Sequence, residues 1–232
     1  MNAKFLTALI LMQILLINFS AADNSTKRLN QDSVAKKEKY FVSLFFGGNY
    51  SNIIQKDWLL QPDYGTNISG GLRIERKLNK RFAINTGLIY HTCGSKFVVD
   101  FIDNFNNVVE KNVVTREKLS YLKSDALLST HLFKSFSFQI GAYSSYLVES
   151  KYKVKSNKIN LTRYNRNEYQ NFDAGIVAAI DYRQICFKSV YIGAQVRFDK
   201  GISNINARAR YKDYPQHNIS YSLLFSIGRY LK

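Results

Sequence analysis

Beyond residue 40 the chain alternates apolar and polar residues, most plainly between Gln170 and Lys200. Phe172, Ala174, Ile176, Ala178, Ile180 and Tyr182 fall on one side, and Asp173, Gly175, Val177, Ala179, Asp181 and Arg183 on the other. After a turn around Gln184–Cys186 the alternation resumes: Val190, Ile192, Ala194, Val196 and Phe198 oppose Ser189, Tyr191, Gly193, Gln195, Arg197 and Asp199. A period of two means β-strand, because successive side chains point to opposite faces of a sheet. These runs are longer than the strands of an ordinary soluble sheet. One face is apolar with aromatics towards both ends, while the other mixes glycine, amide and charge. That is the pattern of a hairpin crossing a membrane in a closed barrel, lipid outside and a polar interior.

The same reading predicts six more strands. The first covers Tyr40–Tyr50 with Tyr40, Val42, Leu44 and Phe46 on the lipid face, and Ser51–Tyr64 follows as a loop. The second runs from Gly65 to Leu78, and a tight turn at Leu78-Asn79-Lys80 leads to the third, from Phe82 to His91. Gly94–Glu117 is a long connection whose segments Lys96–Asp103 and Asn107–Thr115 are β-prone enough to prolong the hairpin beyond the membrane. The fourth strand is Lys118–Phe133 and the fifth begins at Phe136; Ser150–Tyr169 is read as a basic loop. Gly201–Pro215 is the last loop and Gln216–Tyr230 the last strand. The sequence therefore predicts an all-β, eight-stranded antiparallel up-and-down transmembrane β-barrel with long outer loops and short periplasmic turns. A soluble lipocalin-like barrel has eight such strands too, but turns its apolar faces inward.

Composition agrees with strands: Tyr and Phe number 16 each against 2 Pro and a single Trp. Residues 1–22 carry Lys4, an apolar run from Phe5 to Phe19 and Ser20-Ala21-Ala22, the layout of a cleaved export signal. Residues 23–39 are polar and lysine-rich and read as a flexible periplasmic lead-in; the barrel takes 40–232. Export to the outer membrane makes nucleic acid an unsuitable partner for the +16 charge. Cys93 and Cys186 fall at opposite ends of this topology, about 25 Å apart, so two separate thiols are expected.

Several stretches resemble the PorT-type outer membrane β-barrel family common in Bacteroidetes. They are Phe45-Phe46-Gly47-Gly48-Asn49-Tyr50-Ser51-Asn52-Ile53, Gly70-Gly71-Leu72, Tyr121-Leu122, Gly141-Ala142-Tyr143-Ser144-Ser145-Tyr146-Leu147, Phe172-Asp173-Ala174-Gly175 and Arg197-Phe198-Asp199-Lys200-Gly201-Ile202-Ser203-Asn204-Ile205. The resemblance spans about residues 40–230 and implies an exported eight-stranded barrel without assigned chemistry, some relatives of which assist a secretion system. The chain departs from the family pattern in two places. Lys123-Ser124-Asp125 follows Tyr121-Leu122 where the family carries an acid and then a proline, and Leu231-Lys232 follow Tyr230 where many such barrels end on an aromatic.

Candidate chemistry is sparse. His91, His131 and His217 invite a rim-active enzyme, which needs a nucleophile within hydrogen-bond reach of one of them. No cofactor motif and no metal-ligand spacing stands out. The inward charges Arg73, Glu75, Lys123, Asp125, Asp173, Asp181, Arg183, Arg197 and Asp199 either line a small pore or pair to plug the lumen. Eight strands leave an interior that side chains nearly fill, which favours the plug. A three-residue turn at Gln184–Cys186 sets Asp173 opposite Arg197, so these two are expected to pair in the outer half. Lys151, Lys153, Lys155, Lys158, Arg163 and Arg166 have no acid among them between 151 and 166, and an outward loop of this kind suits the phosphates of lipopolysaccharide. The expected role is structural, surface-interacting or secretion-supporting, with outer membrane lipids, lipopolysaccharide and envelope or secretion-system proteins as partners. A small pore, a rim-active enzyme and a soluble exported ligand-binding barrel are the alternatives.

Overall fold

A computed structural model describes residues 40–55, 62–102, 108–133, 135–156, 160–187, 189–207 and 215–231. The expected export signal 1–22, the expected lead-in 23–39, Trp58 and Lys158 lie outside the described residues. Among the described residues nine strands follow in order: β1 Tyr40–Gln55, β2 Asp63–Lys77, β3 Phe82–Ile102, β4 Val108–His131, β5 Phe136–Lys155, β6 Asn160–Tyr164, β7 Phe172–Phe187, β8 Val190–Gly201 and β9 Gln216–Leu231. Sequential antiparallel neighbours, the β5–β7 pairing and the β9–β1 pairing close eight of them into a ring; β6 lies outside it. The closing seam runs without a break from Tyr40↔Leu231 to Gln55↔Gln216.

The alternation decides the faces. Leu44 and Phe46 are 61% and 70% exposed, whereas Ser43 and Phe45 between and beside them are buried. The same holds for Ile176 and Ile180 against Val177 and Asp181, and for Leu223 and Phe225 against Ser222 and Leu224. An apolar belt thus wraps the outside. It is bounded at the long-loop end by an aromatic row in which Tyr50 stacks on Tyr64 (4.8 Å), Tyr64 nears Tyr221 (6.2 Å) and Tyr221 meets Phe198 (5.1 Å). Phe136 and Tyr182, 4.8 Å apart, belong to the row at the short-turn end. Aromatic girdles flanking an apolar band are the outward signature of a membrane-spanning barrel.

The short turns have local causes. Between β2 and β3 the Asn79 side-chain oxygen accepts from the amides of Arg81 and Phe82, both at 2.8 Å, which is how asparagine pins a tight reversal. Between β7 and β8 the expected turn at Gln184–Cys186 is not where the chain reverses. Strand β7 continues to Phe187 and β8 starts at Val190, because Gln184 and Ile185 still pair with Ile192 and Tyr191. Cys93 is buried and Cys186 exposed, and both are free thiols.

The long-loop end is more regular than the sequence suggests. Strands β3, β4 and β5 have 21, 24 and 20 residues and run on past the ring. The segment read as a basic loop, Ser150–Tyr169, is instead the end of β5, the short strand β6 pairing with Lys151–Lys155, and a 3-10 turn at Arg166–Glu168. Backbone pairing overrides the charge here, since Lys151, Lys153 and Lys155 alternate with Tyr152 and Val154 and so keep strand periodicity.

Some inward positions admit no side chain. A Cβ on Gly141 would lie 2.0 Å from the Ala126 carbonyl oxygen of the neighbouring strand. Gly141→Val is therefore expected to lower the stability of the detergent-folded barrel by about 1–3 kcal/mol, read from the urea midpoint. Ala142→Val on the lipid face should shift it by less than about 0.5 kcal/mol.

Candidate functional site

The barrel interior collects charge because every odd-numbered position on most strands points inward. All nine charged residues singled out in the sequence project there, and all are buried except Arg183, whose side chain is 11% exposed. They fall into two groups. At mid-height Arg197 of β8 contacts Asp125 of β4 at 2.5 Å and Asp199 of its own strand at 2.9 Å, and Lys123 of β4 reaches Asp199 at 3.1 Å. Towards the short-turn end Arg183 of β7 contacts Asp181 at 2.5 Å and reaches Glu75 of β2 at 2.7 Å, with His131 at 3.8 Å from the same carboxylate. Between the two groups Arg73 of β2 donates to Gln195 of β8 (3.0 Å), which donates to Gln139 of β5 (3.0 Å). Strands β2 and β7, and likewise β4 and β8, are not neighbours in the ring, so these contacts cross the lumen.

One expected contact is absent. Pairs along β7 and β8 match Ala179 with Arg197 and Gly175 with Gly201, so each residue's partner lies six positions further along than a Gln184–Cys186 turn requires. Arg197 consequently pairs with Asp125 and Asp199, and not with Asp173. Asp173 is held by neutral groups: the Tyr143 hydroxyl (3.1 Å), the Asn218 amide (2.9 Å) and the Ser203 hydroxyl (2.7 Å) all donate to its carboxylate. The displacement follows from the turn lying beyond Phe187, which shifts the whole register.

Nor is the interior uniformly polar. Phe41, Tyr191 and Tyr230 cluster at the short-turn end with ring centroids 4.9–5.7 Å apart. Arg183 lies over the Phe41 ring (4.6 Å) and Arg73 over Phe45 (4.8 Å), giving the guanidiniums aromatic contacts as well as polar ones. At the long-loop end Ile53, Cys93, Leu119, Tyr121, Leu147, Tyr169 and Ile205 form a buried apolar cluster. Two of its members, Tyr169 and Ile205, come from connections and not from the ring. They are drawn in by a Tyr169↔Asn206 bridge, by the Gln170 amide donating to the Ile205 carbonyl (2.7 Å), and by the Tyr169 hydroxyl donating to Glu117. Sequence reasoning missed both, because each is one of several aliphatic or aromatic residues scattered without period through a polar connection.

The histidines do not converge. His91 is buried with its Nδ1 at 2.7 Å from the Ser69 hydroxyl, His131 sits by Glu75, and His217 Nδ1 lies 2.9 Å from the Ser203 carbonyl. The Ser69–His91 couple is walled in by Ile89, Leu224, Lys123 and Arg197, so no space beside it admits a substrate. Among the described residues no set of His, Cys, Asp and Glu side chains is arranged to hold a metal. The basic residues sit on the extension: Lys151, Lys153 and Lys155 on β5, Arg163 on β6 and Arg166 in the 3-10 turn, where Arg166 donates to the Tyr146 hydroxyl (3.0 Å). Lys96, Arg116 and Lys118, on the facing strands, were not picked out from sequence although their even-numbered spacing places them on one face.

A ring of eight antiparallel strands, apolar outside, girdled by aromatics and filled with paired charge, is an outer membrane β-barrel. The chain belongs to the outer membrane protein beta-barrel domain family, whose model matches residues 22–207. No curated protein sequence matches it. Among solved structures it is similar to Neisserial surface protein A (11% identity, TM-score 0.43, covering 83% of this chain and 97% of that one). It is also similar to OprG from Pseudomonas aeruginosa (11%, 0.40, 83% and 94%) and to the outer membrane protease OmpT from Escherichia coli (7%, 0.35, 85% and 98%). At these identities the likeness concerns the fold alone.

The cross-lumen pairs can be tested by mutation. Arg197→Met should destabilise the detergent-folded protein by about 3–5 kcal/mol, since it strands Asp125 and Asp199 in a confined interior. Adding Asp125→Asn should cost less than the sum of the two single changes, whereas Asp173→Asn combined with Arg197→Met should couple less. Equal coupling in the two cycles would contradict this assignment of partners.

Proposed function

We propose that the protein is a sealed outer membrane barrel that acts through its outward extension, as a surface-interacting or secretion-supporting component and not as a pore or an enzyme. The observation that carries this reading is the set of contacts crossing the lumen, Arg197–Asp125, Lys123–Asp199 and Arg183–Glu75. Ions passing through would have to break these pairs, each of which stands in a low-dielectric interior where separation is costly. Apolar clusters at both ends of the lumen support the same conclusion.

In this reading residues 1–22 direct export and are removed, the short-turn end faces the periplasm, and the long-loop end faces outward, as asymmetric connections do in such barrels. The extension then brings Lys151, Lys153, Lys155, Arg163 and Arg166 to the cell surface, where lipopolysaccharide supplies phosphate. Within the wider family the motifs at Gly47-Gly48-Asn49-Tyr50 and Arg197–Ile205 support a place among PorT-type barrels, and with it an envelope or secretion-system protein as partner.

Two measurements test the proposal. Purified protein inserted in planar bilayers should give no steps of conductance; Arg183→Ala/Arg197→Ala, if it folds, should begin to show them. Steady conductance from the wild type would overturn the sealed barrel. A membrane-impermeant maleimide should label Cys186 only after the outer membrane is permeabilised, and should leave buried Cys93 unlabelled throughout; labelling of Cys186 in intact cells would invert the orientation.

A further inference from the structure

The outer wall of the extension carries an arrangement separate from the lumen. Lys96 of β3 stands directly across from Arg116 of β4, Arg116 across from Lys153 of β5, and Lys118 across from Lys151. Each pairing sets like charges opposite one another, with Cβ atoms about 4.5–5.5 Å apart, which weakens a sheet unless something neutralises it. Their neighbours in the alternation, Ser95, Thr115, Glu117, Leu119, Ser150 and Val154, are buried, so the basic side chains face outward. Lys151 has Glu149 at 2.8 Å and Lys96 stands across from Asp63 of β2 on its other side, but among the described residues Arg116, Lys118 and Lys153 make no ion pair.

These side chains line a hollow of about 640 Å³ that also includes exposed Tyr90 and Tyr64, a member of the aromatic row at the edge of the apolar belt. On the same wall, on the far side of Tyr90, exposed Leu88, Leu128 and Ile140 continue towards the short-turn end. The cations form two tiers, Lys118 with Lys151 and, about 7 Å further out, Arg116 with Lys153 and Lys96.

The geometry points to a binding site for a phosphorylated glycolipid of the outer leaflet, its phosphates on the two basic tiers and its acyl chains along the apolar wall. This rests on the reading above that the long-loop end lies at the outer leaflet. Phosphate fits the tiers because it offers several acceptor oxygens to the Arg116 fork and to the lysine ammoniums together. An amphiphile fits better than a soluble anion because the cations stand at the tyrosine row, where the long lysine stems lie along apolar surface while their heads stay polar. Neutralising three like-charge pairs gives the ligand something to relieve that a lone surface lysine would not.

The test uses the full mature chain in phosphatidylcholine nanodiscs with and without diphosphoryl lipid A. Native mass spectrometry should find lipid A retained with the barrel, and lipid A stripped of its phosphates should not be. Lys118→Gln/Lys151→Gln and Arg116→Gln/Lys153→Gln should each weaken retention by at least about tenfold. In plain phosphatidylcholine the same variants should melt close to the wild-type temperature, since each removes a repulsive pair and the only attraction lost is the exposed Lys151–Glu149 contact; this separates a lost site from a lost fold. Lys80→Gln/Arg81→Gln, in the short turn between β2 and β3 at the opposite end, should retain lipid A normally. Undiminished retention by the double variants, or equal retention of the dephosphorylated lipid, overturns the site. Competition by inorganic polyphosphate that is as effective as lipid A overturns the lipid as its occupant. Insertion without lipid A retention removes this site and leaves the sealed barrel standing, whereas failure to float with vesicles at all removes the membrane reading beneath both.

Discussion

The pairing of β1 with β9 is the contact on which everything else rests. In hydrocarbon no water is present to satisfy a backbone amide or carbonyl, so a sheet crossing a membrane can have no edge. The seam from Tyr40↔Leu231 to Gln55↔Gln216 removes the edge by joining the first and last strands of the ring, which are far apart in sequence. Once it is closed, alternation has only one meaning: even-numbered residues of β1 and odd-numbered residues of β9 meet lipid, and the residues between them meet each other inside. A one-residue slip anywhere would put Asp125 or Arg197 into the bilayer and an isoleucine into the lumen.

Closure also explains why the interior is so highly charged and yet paired. A small ring encloses little more than the volume of its own side chains. Charges on opposite walls are therefore forced within contact distance, and only complementary ones can be tolerated. Arg183 and Glu75, on strands well apart in the ring, meet at 2.7 Å for this reason. Removing one partner of such a pair costs more than the pair itself contributes, which makes the network a device for fixing one arrangement more than a source of net stability. The aromatic contacts of Arg73 and Arg183 serve the same end by surrounding guanidiniums with ring faces where carboxylates run out.

Outside the ring the constraint relaxes, and the chain uses the freedom. Strands β3, β4 and β5 keep pairing past the aromatic row, β6 adds to them, and the resulting sheet has one wall buried over the apolar cap and one wall basic. Tyr169 and Ile205, contributed by connections, close the cap from above. Ring residues and inserted loop residues thus share one buried apolar cluster at that end, and the exposed charge lies on the outer wall of the extension.

The amino-acid sequence alone determined the strands, their faces, the inward charge set and the alternation of long and short connections, because each follows from a period of two that neighbours only two residues apart can express. It could not determine which inward charges meet. That depended on the β7–β8 turn lying past Phe187 and on contacts across the lumen, such as Glu75 with Arg183, 108 positions apart. The basic segment 151–166 was legible as charge but not as a strand pair, since burial of Val154 against partners on other strands is what holds it extended. The three like-charge pairs on the outer wall were invisible for the same reason: Lys96, Arg116 and Lys153 are unremarkable one at a time, and only register brings them side by side.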